Sequence, residues 1–213
     1  MNNKFRNLAF RVAMFVTPLA SISCQQDSLK QEVIQCQKEI EPFHTKKDIE
    51  EIIQEENTPI DVFIRIKKGI LFQKKHDELV LKCQDRWCSM QETYALGTGD
   101  CEDGAIIFKA MLSNNPEYNV EIVWLFPKKN IGHTIAVYQE NNKWGYVSFN
   151  EINGSRFHVA TFESSSDAIN SFNDHFNKPY STYTFMNFSD EELKFGKVLN
   201  QHYKRNPNWT NLE

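Results

Sequence analysis

Residues 97–105 read GTGDCEDGA and lead into an apolar run through Ala105, Ile106, Ala110, Met111 and Leu112. This order predicts a glycine-loosened turn followed by a helix that stops at Ser113-Asn114-Asn115-Pro116. Gly97 and Gly99 give the backbone freedom for a tight approach. Asp100 stands where a helix N-cap belongs. Glu102 and Asp103 fall in the first turn, where negative charge complements the helix dipole. Successive helical residues turn by about 100°, so both carboxylates are expected to point away from Cys101. The cysteine itself has two readings. A free thiol is commonly a small buried hydrophobe. A helix start also lowers a thiol's pKa and offers backbone N–H groups to an oxyanion, so the position suits a nucleophile.

A thiol nucleophile needs a base, and the base needs an orienting partner. Three segments after the helix read as strands: NVEIVWLF (119–126), GHTIAVYQ (132–139) and KWGYVSFN (143–150). All are rich in β-branched and aromatic residues and bounded by turn formers. A two-residue turn at Asn141-Asn142, where asparagine tolerates positive φ, sets the register of the last two. Counting outward, Tyr138 faces Gly145 and His133 faces Asn150. Directly opposed side chains have Cβ atoms about 4.5–5.5 Å apart, so Asn150 could fix the imidazole through its side-chain carbonyl. Cys101 Sγ is then expected within about 4 Å of a His133 ring nitrogen.

The rest of the 213 residues bounds the setting. The chain is 40% hydrophobic, enough for one globular domain with a core. A net charge of −4 gives no basic footprint for nucleic acid. Residues 1–23 read as a signal peptide, with Lys4, Arg6 and Arg11 ahead of the apolar stretch Val12–Ile22. That stretch, broken by Pro18, is short for a membrane span. Ser21 and Ser23 suit cleavage, and Cys24 at the boundary resembles the lipidated cysteine of a bacterial lipoprotein signal, although Ser21 stands where such signals usually carry Leu. Export to the periplasm follows, with membrane attachment through Cys24 if it is lipidated. Loss of residues 1–23 would leave 21 basic against 28 acidic residues.

Residues 24–56, rich in Gln, Glu and Lys, read either as an exposed helical arm or as a solvated spacer. Asn57-Thr58-Pro59 signals a helix start, and the domain proper is taken as residues 57–213. The run IDVFIRIKKGILF is read as helix continuing with interruptions towards Trp87. Cys36, Cys83, Cys88 and Cys101 form no CxxC pair and no zinc spacing. Trp87 and Trp144 could line a cleft or simply pack in the core. The aromatic text after Gly154 offers no readable pattern beyond wrapping the core.

Taken together, DRWCSMQET (85–93), GTGDCEDGA (97–105), Gly132-His133 and the Trp144-to-Asn150 strand resemble the transglutaminase-like cysteine peptidases, in particular their bacterial periplasmic branch. The resemblance covers about residues 60–152. It implies an α+β fold with a papain-like, transglutaminase-type core: a Cys-bearing helix packed on an antiparallel sheet that carries the His and the Asn. It implies Cys101 as nucleophile, His133 as general base and acid, and Asn150 as orienter, where the family usually has Asp. The implied activity is acyl transfer through a thioester on Cys101, with a protein or peptide amide as substrate. Hydrolysis is the expected outcome; transamidation or deamidation of protein glutamine is the alternative, and an inactive transglutaminase-like binding protein is the other. The reaction needs no cofactor. Relatives of the periplasmic branch bind calcium through this acidic segment, which makes Asp100, Glu102 and Asp103 candidate calcium ligands.

Overall fold

The computed structural model describes residues 46–54, 58–73, 86–127, 132–150, 154–177, 179–196 and 210–212. The signal peptide, Cys24, Cys36, Cys83 and most of the 24–56 arm lie outside the described residues. Helix α1 (Lys46–Gln54) is the end of that arm, and it differs from an exposed spacer. Its Ile49 and Ile53 lie on one helical face and are buried in the core. Helix α2 (Pro59–Gly69) begins at the expected signal: Thr58 is the N-cap, its Oγ1 accepting the Asp61 N–H at 3.3 Å, and Pro59 opens the helix. The helix is interrupted after Gly69, where the chain enters a short strand, β1 (Leu71–Phe72); the expected continuation towards Trp87 falls on residues 74–85, outside the described residues.

Helix α3 (Met90–Leu96) is capped by Ser89 and closed by Gly97 at φ 66°, a left-handed position that suits a residue without Cβ. Strand β2 (Thr98–Gly99) pairs in parallel with β1, and helix α4 (Cys101–Leu112) follows at once. Strands β3 (Asn119–Pro127), β4 (His133–Glu140) and β5 (Lys143–Ser148) come next. Beyond them lie β6 (Arg156–Phe162), helix α5 (Ser165–His175), β7 (Tyr180–Met186), helix α6 (Asp190–Phe195) and β8 (Thr210–Asn211). The six longer-range partners form one antiparallel sheet ordered β6-β5-β4-β3-β7-β8. Among the described residues no helix is long and apolar enough to cross a membrane.

Period-2 alternation divides the sheet's two faces. Ala136 and Tyr138 of β4, with Val120, Ile122 and Val147, face α4 together with residues of α1, α2, α3 and α6. Ile135 and Val137, with Val123, Leu125 and Tyr146, face α5 on the other side. Helix α4 is therefore sunk between the sheet and the other helices, and ten of its twelve residues are buried. This explains its apolar character all round. Close approach is built in at Gly104, where a Cβ would lie 2.4 Å from the Phe149 ring. Neither the helix backbone nor a fully buried Phe can yield cheaply, so Gly104→Ala is expected to cost about 1–3 kcal/mol despite alanine's better helix propensity. Urea unfolding would measure it, and a stabilised variant would contradict this packing.

Candidate active site

The loop before α3 and the start of α4 are joined by buried carboxylates. Asp103 is fully buried, and its Oδ1 accepts the Cys88 N–H at 2.8 Å while Oδ2 accepts the Asp100 N–H at 3.3 Å. One side chain thus fastens residues 86–89 to the first turn of α4. Glu92 does the same for α3: Oε1 takes a hydrogen bond from Arg86 Nη2 at 2.5 Å and Oε2 one from the Ser89 N–H at 3.2 Å. Ser89 Oγ accepts the Glu92 N–H in return, completing a capping box. Trp87, 2% exposed, packs edge-on against Trp124 as a core residue.

Cys101 opens α4 directly after the N-cap Asp100. Its thiol donates to Glu102 Oε2 at 3.1 Å, and the Thr134 backbone N–H acts on it from β4. Glu102 therefore turns towards the thiol, contrary to the helical-wheel expectation, because its flexible stem folds back along the first turn. Burial is the largest cause raising the thiol's pKa well above 9.0, followed by the Glu102 and Asp100 charges; the Thr134 N–H opposes them. The resting sulfur is a protonated thiol, despite the helix dipole.

His133 begins β4 opposite Leu125 of β3. Its parity with Ile135 and Val137 sends the imidazole to the α5 face, where it stacks on Phe172 at 5.7 Å and Tyr180 at 6.3 Å between centroids. Nε2 lies 2.8 Å from Ser148 Oγ. Burial lowers the imidazole pKa from 6.5 to about 4, so the ring is neutral at physiological pH. Because the unfolded chain takes up this proton below about pH 6.5 and the folded chain refuses it, stability is full above that pH and declines as pH falls towards 4. His133→Gln is expected to flatten that part of the decline in urea midpoints. An unchanged pH dependence would show that the ring is not held neutral.

The hairpin follows the expected register, from Glu140–Lys143 through Tyr138–Gly145 to Ala136–Val147, around Asn141 and Asn142 at φ 51° and 62°. The ladder ends before its far end, however. Strand β5 closes at Ser148, so Asn150 lies beyond it, and the imidazole's hydrogen bond goes to Ser148. Sequence reasoning missed Ser148, although it is the diagonal same-face neighbour of position 133 in that register.

Cys101 lies by the start of β4, where the Thr134 N–H that follows His133 acts on its thiol, while the imidazole rests on Phe172 at the α5 face. Among the described residues no hydrogen bond joins the thiol to the imidazole. Tyr180, whose hydroxyl pKa is pushed up to about 12 by burial and then by the Cys101 sulfur as it ionises, stacks on His133. Of the candidate calcium ligands, Asp103 accepts backbone N–H groups through both oxygens and Glu102 accepts from the thiol through Oε2. Among the described residues no three His, Cys, Asp or Glu side chains gather as a metal would require. Neither the protein-family models nor the curated proteins compared with this chain match it.

Proposed function

We propose that this chain is an exported cysteine-dependent acyl-transfer enzyme with a papain-like, transglutaminase-type core, hydrolysing a protein or peptide amide through a thioester on Cys101. The observation that supports this reading is the position of Cys101 at the start of a buried helix, beside the Thr134 N–H that follows His133 in β4. Cys101 Sγ attacks the amide carbon, a C–S bond forms, and the carbonyl electron pair moves to oxygen beside the first-turn N–H groups of α4. His133 is in its basic form at neutral pH and takes the thiol proton as attack proceeds. The same proton then passes to the departing amine nitrogen as the C–N bond breaks. Water attacks the thioester, giving the acid and restoring the thiol; an amine in its place would give transamidation, and attack on a glutamine side chain would give deamidation.

Two features shape this chemistry. A protonated thiol requires attack and proton removal to be coupled, unlike a preformed thiolate–imidazolium pair. The thiol's present bond to Glu102 must also give way to His133 when substrate binds, in the manner of catalytic contacts that tighten only in the Michaelis complex. The step needs no metal ion. The signal-like N-terminus supports a periplasmic location, with Cys24 as the anchor if lipidated.

The unjoined thiol and imidazole favour a second reading, a transglutaminase-like binding protein without turnover. A proteomic comparison of cells carrying the wild-type chain or Cys101→Ala separates them. New protein termini that depend on Cys101 are expected; amine incorporation would mark transamidation instead. Identical proteomes would leave only the binding reading.

A further inference from the structure

The imidazole of His133 is held on two sides by different means. Its plane is set by stacking, 13° from the Phe172 ring and 20° from that of Tyr180. Stacking alone still permits the ring to turn over within that plane and exchange its two nitrogens. The 2.8 Å contact between Nε2 and Ser148 Oγ removes this freedom.

Ser148 is itself rigidly aimed. It is 2% exposed, and its neighbours Val147 and Phe149 are fully buried in the core on the α4 side of the sheet. Alternation along β5 then leaves Ser148 only the α5 face, where His133 lies. Residue 150 follows the end of β5, past the last strand position that such packing controls.

We propose that Ser148 is the positioning residue for His133, accepting the Nε2–H hydrogen bond and thereby keeping Nδ1 as the unprotonated nitrogen. This assignment rests on the reading of His133 as general base, because only an unprotonated Nδ1 can take the thiol proton while Nε2 is engaged. The role expected of Asn150 passes to a residue two positions earlier. A hydroxyl brings no charge, so Ser148 orients the ring without stabilising the imidazolium, and proton transfer is correspondingly less favourable than with a carboxylate.

The test combines histidine-labelled NMR with turnover of fluorescein-labelled denatured casein, on the full-length chain and its Ser148→Ala, Ser148→Thr and Asn150→Ala variants. The ring nitrogen shifts of His133 are expected to report the Nε2–H tautomer in the wild type and in Ser148→Thr, which keeps a hydroxyl. Ser148→Ala is expected to give a mixture of tautomers and about a tenfold loss of kcat with little change in KM, a modest part of the ~10²–10⁴ that general acid–base transfer contributes. A wild-type Nδ1–H tautomer would overturn the assignment. So would ring signals unchanged in Ser148→Ala, or a tautomer change in Asn150→Ala alone. Casein turnover that survives in Cys101→Ala would defeat the enzymatic reading instead, while the NMR result would still decide which residue orients the ring.

Discussion

Asp103→Ala is expected to destabilise the folded chain by about 3 kcal/mol or more, since hydrogen bonds to a charged group contribute ~1.5–3 kcal/mol each and two are lost. The carboxylate is fully buried and serves the N–H groups of Cys88 and Asp100. Alanine would leave both donors without that acceptor in the interior, and no water-sized movement of the tightly packed α4 start restores it. Asp103→Asn keeps one carbonyl oxygen and should recover part of the loss. Urea unfolding gives the size, and repeating it with calcium or with EDTA tests the role. The same deficit in both media is the expected result, because both oxygens are committed to the backbone. A wild-type Tm that drops in EDTA, with Asp103→Ala insensitive, would assign this carboxylate to a cation instead.

The second large effect is expected at the Arg86–Glu92 pair. The two side chains are 3% and 11% exposed, with Nη2 and Oε1 2.5 Å apart. Removing one member of a buried pair typically costs about 3–5 kcal/mol, because the other charge stays in a low-dielectric interior. Glu92→Ala also removes half of the α3 capping box, adding to the cost. Replacing both residues with methionine should recover much of the stability, since a hydrophobic pair of similar volume has no charge to desolvate. A double variant no better than Glu92→Ala would mean that Arg86 is held mainly by other groups.

These two carboxylates show where the sequence was legible. Glu92 three residues after Ser89, and Asp103 three after Asp100, are local patterns, and local rules place them at helix starts. What those rules do not contain is the contact from Asp103 to Cys88, fifteen residues back, which depends on how the loop folds over the helix. The hairpin was readable for the same local reason, two asparagines fixing the turn and therefore the register. The register alone, however, does not say where the ladder stops, and the expected His133–Asn150 pairing depended on two more residues of strand than β5 has.

The C-terminal third was least legible. Strand β7 pairs with β3 rather than with its sequence neighbour β6, so its position reflects a long-range choice that no short pattern encodes. Helix α5 reads SSDAINSFNDH, with few apolar positions, yet its Phe172 supplies the surface on which His133 rests. The orientation of the candidate base is thus decided by a segment whose sequence gives little sign of it.

The parallel patch of β1 and β2 carries one more consequence. Leu71 N–H bonds to the Gly97 carbonyl and Gln73 N–H to that of Gly99, both at 3.0 Å. The turn that delivers Cys101 is thereby stitched to the chain leaving α2, and neither can swing outward without breaking these two bonds. Excursions of the thiol-bearing turn would therefore belong to a shared cooperative opening, visible as matched hydrogen-exchange rates at Leu71 and Gln73. The amides of a segment distant in sequence would act as reporters for how often the turn before Cys101 opens.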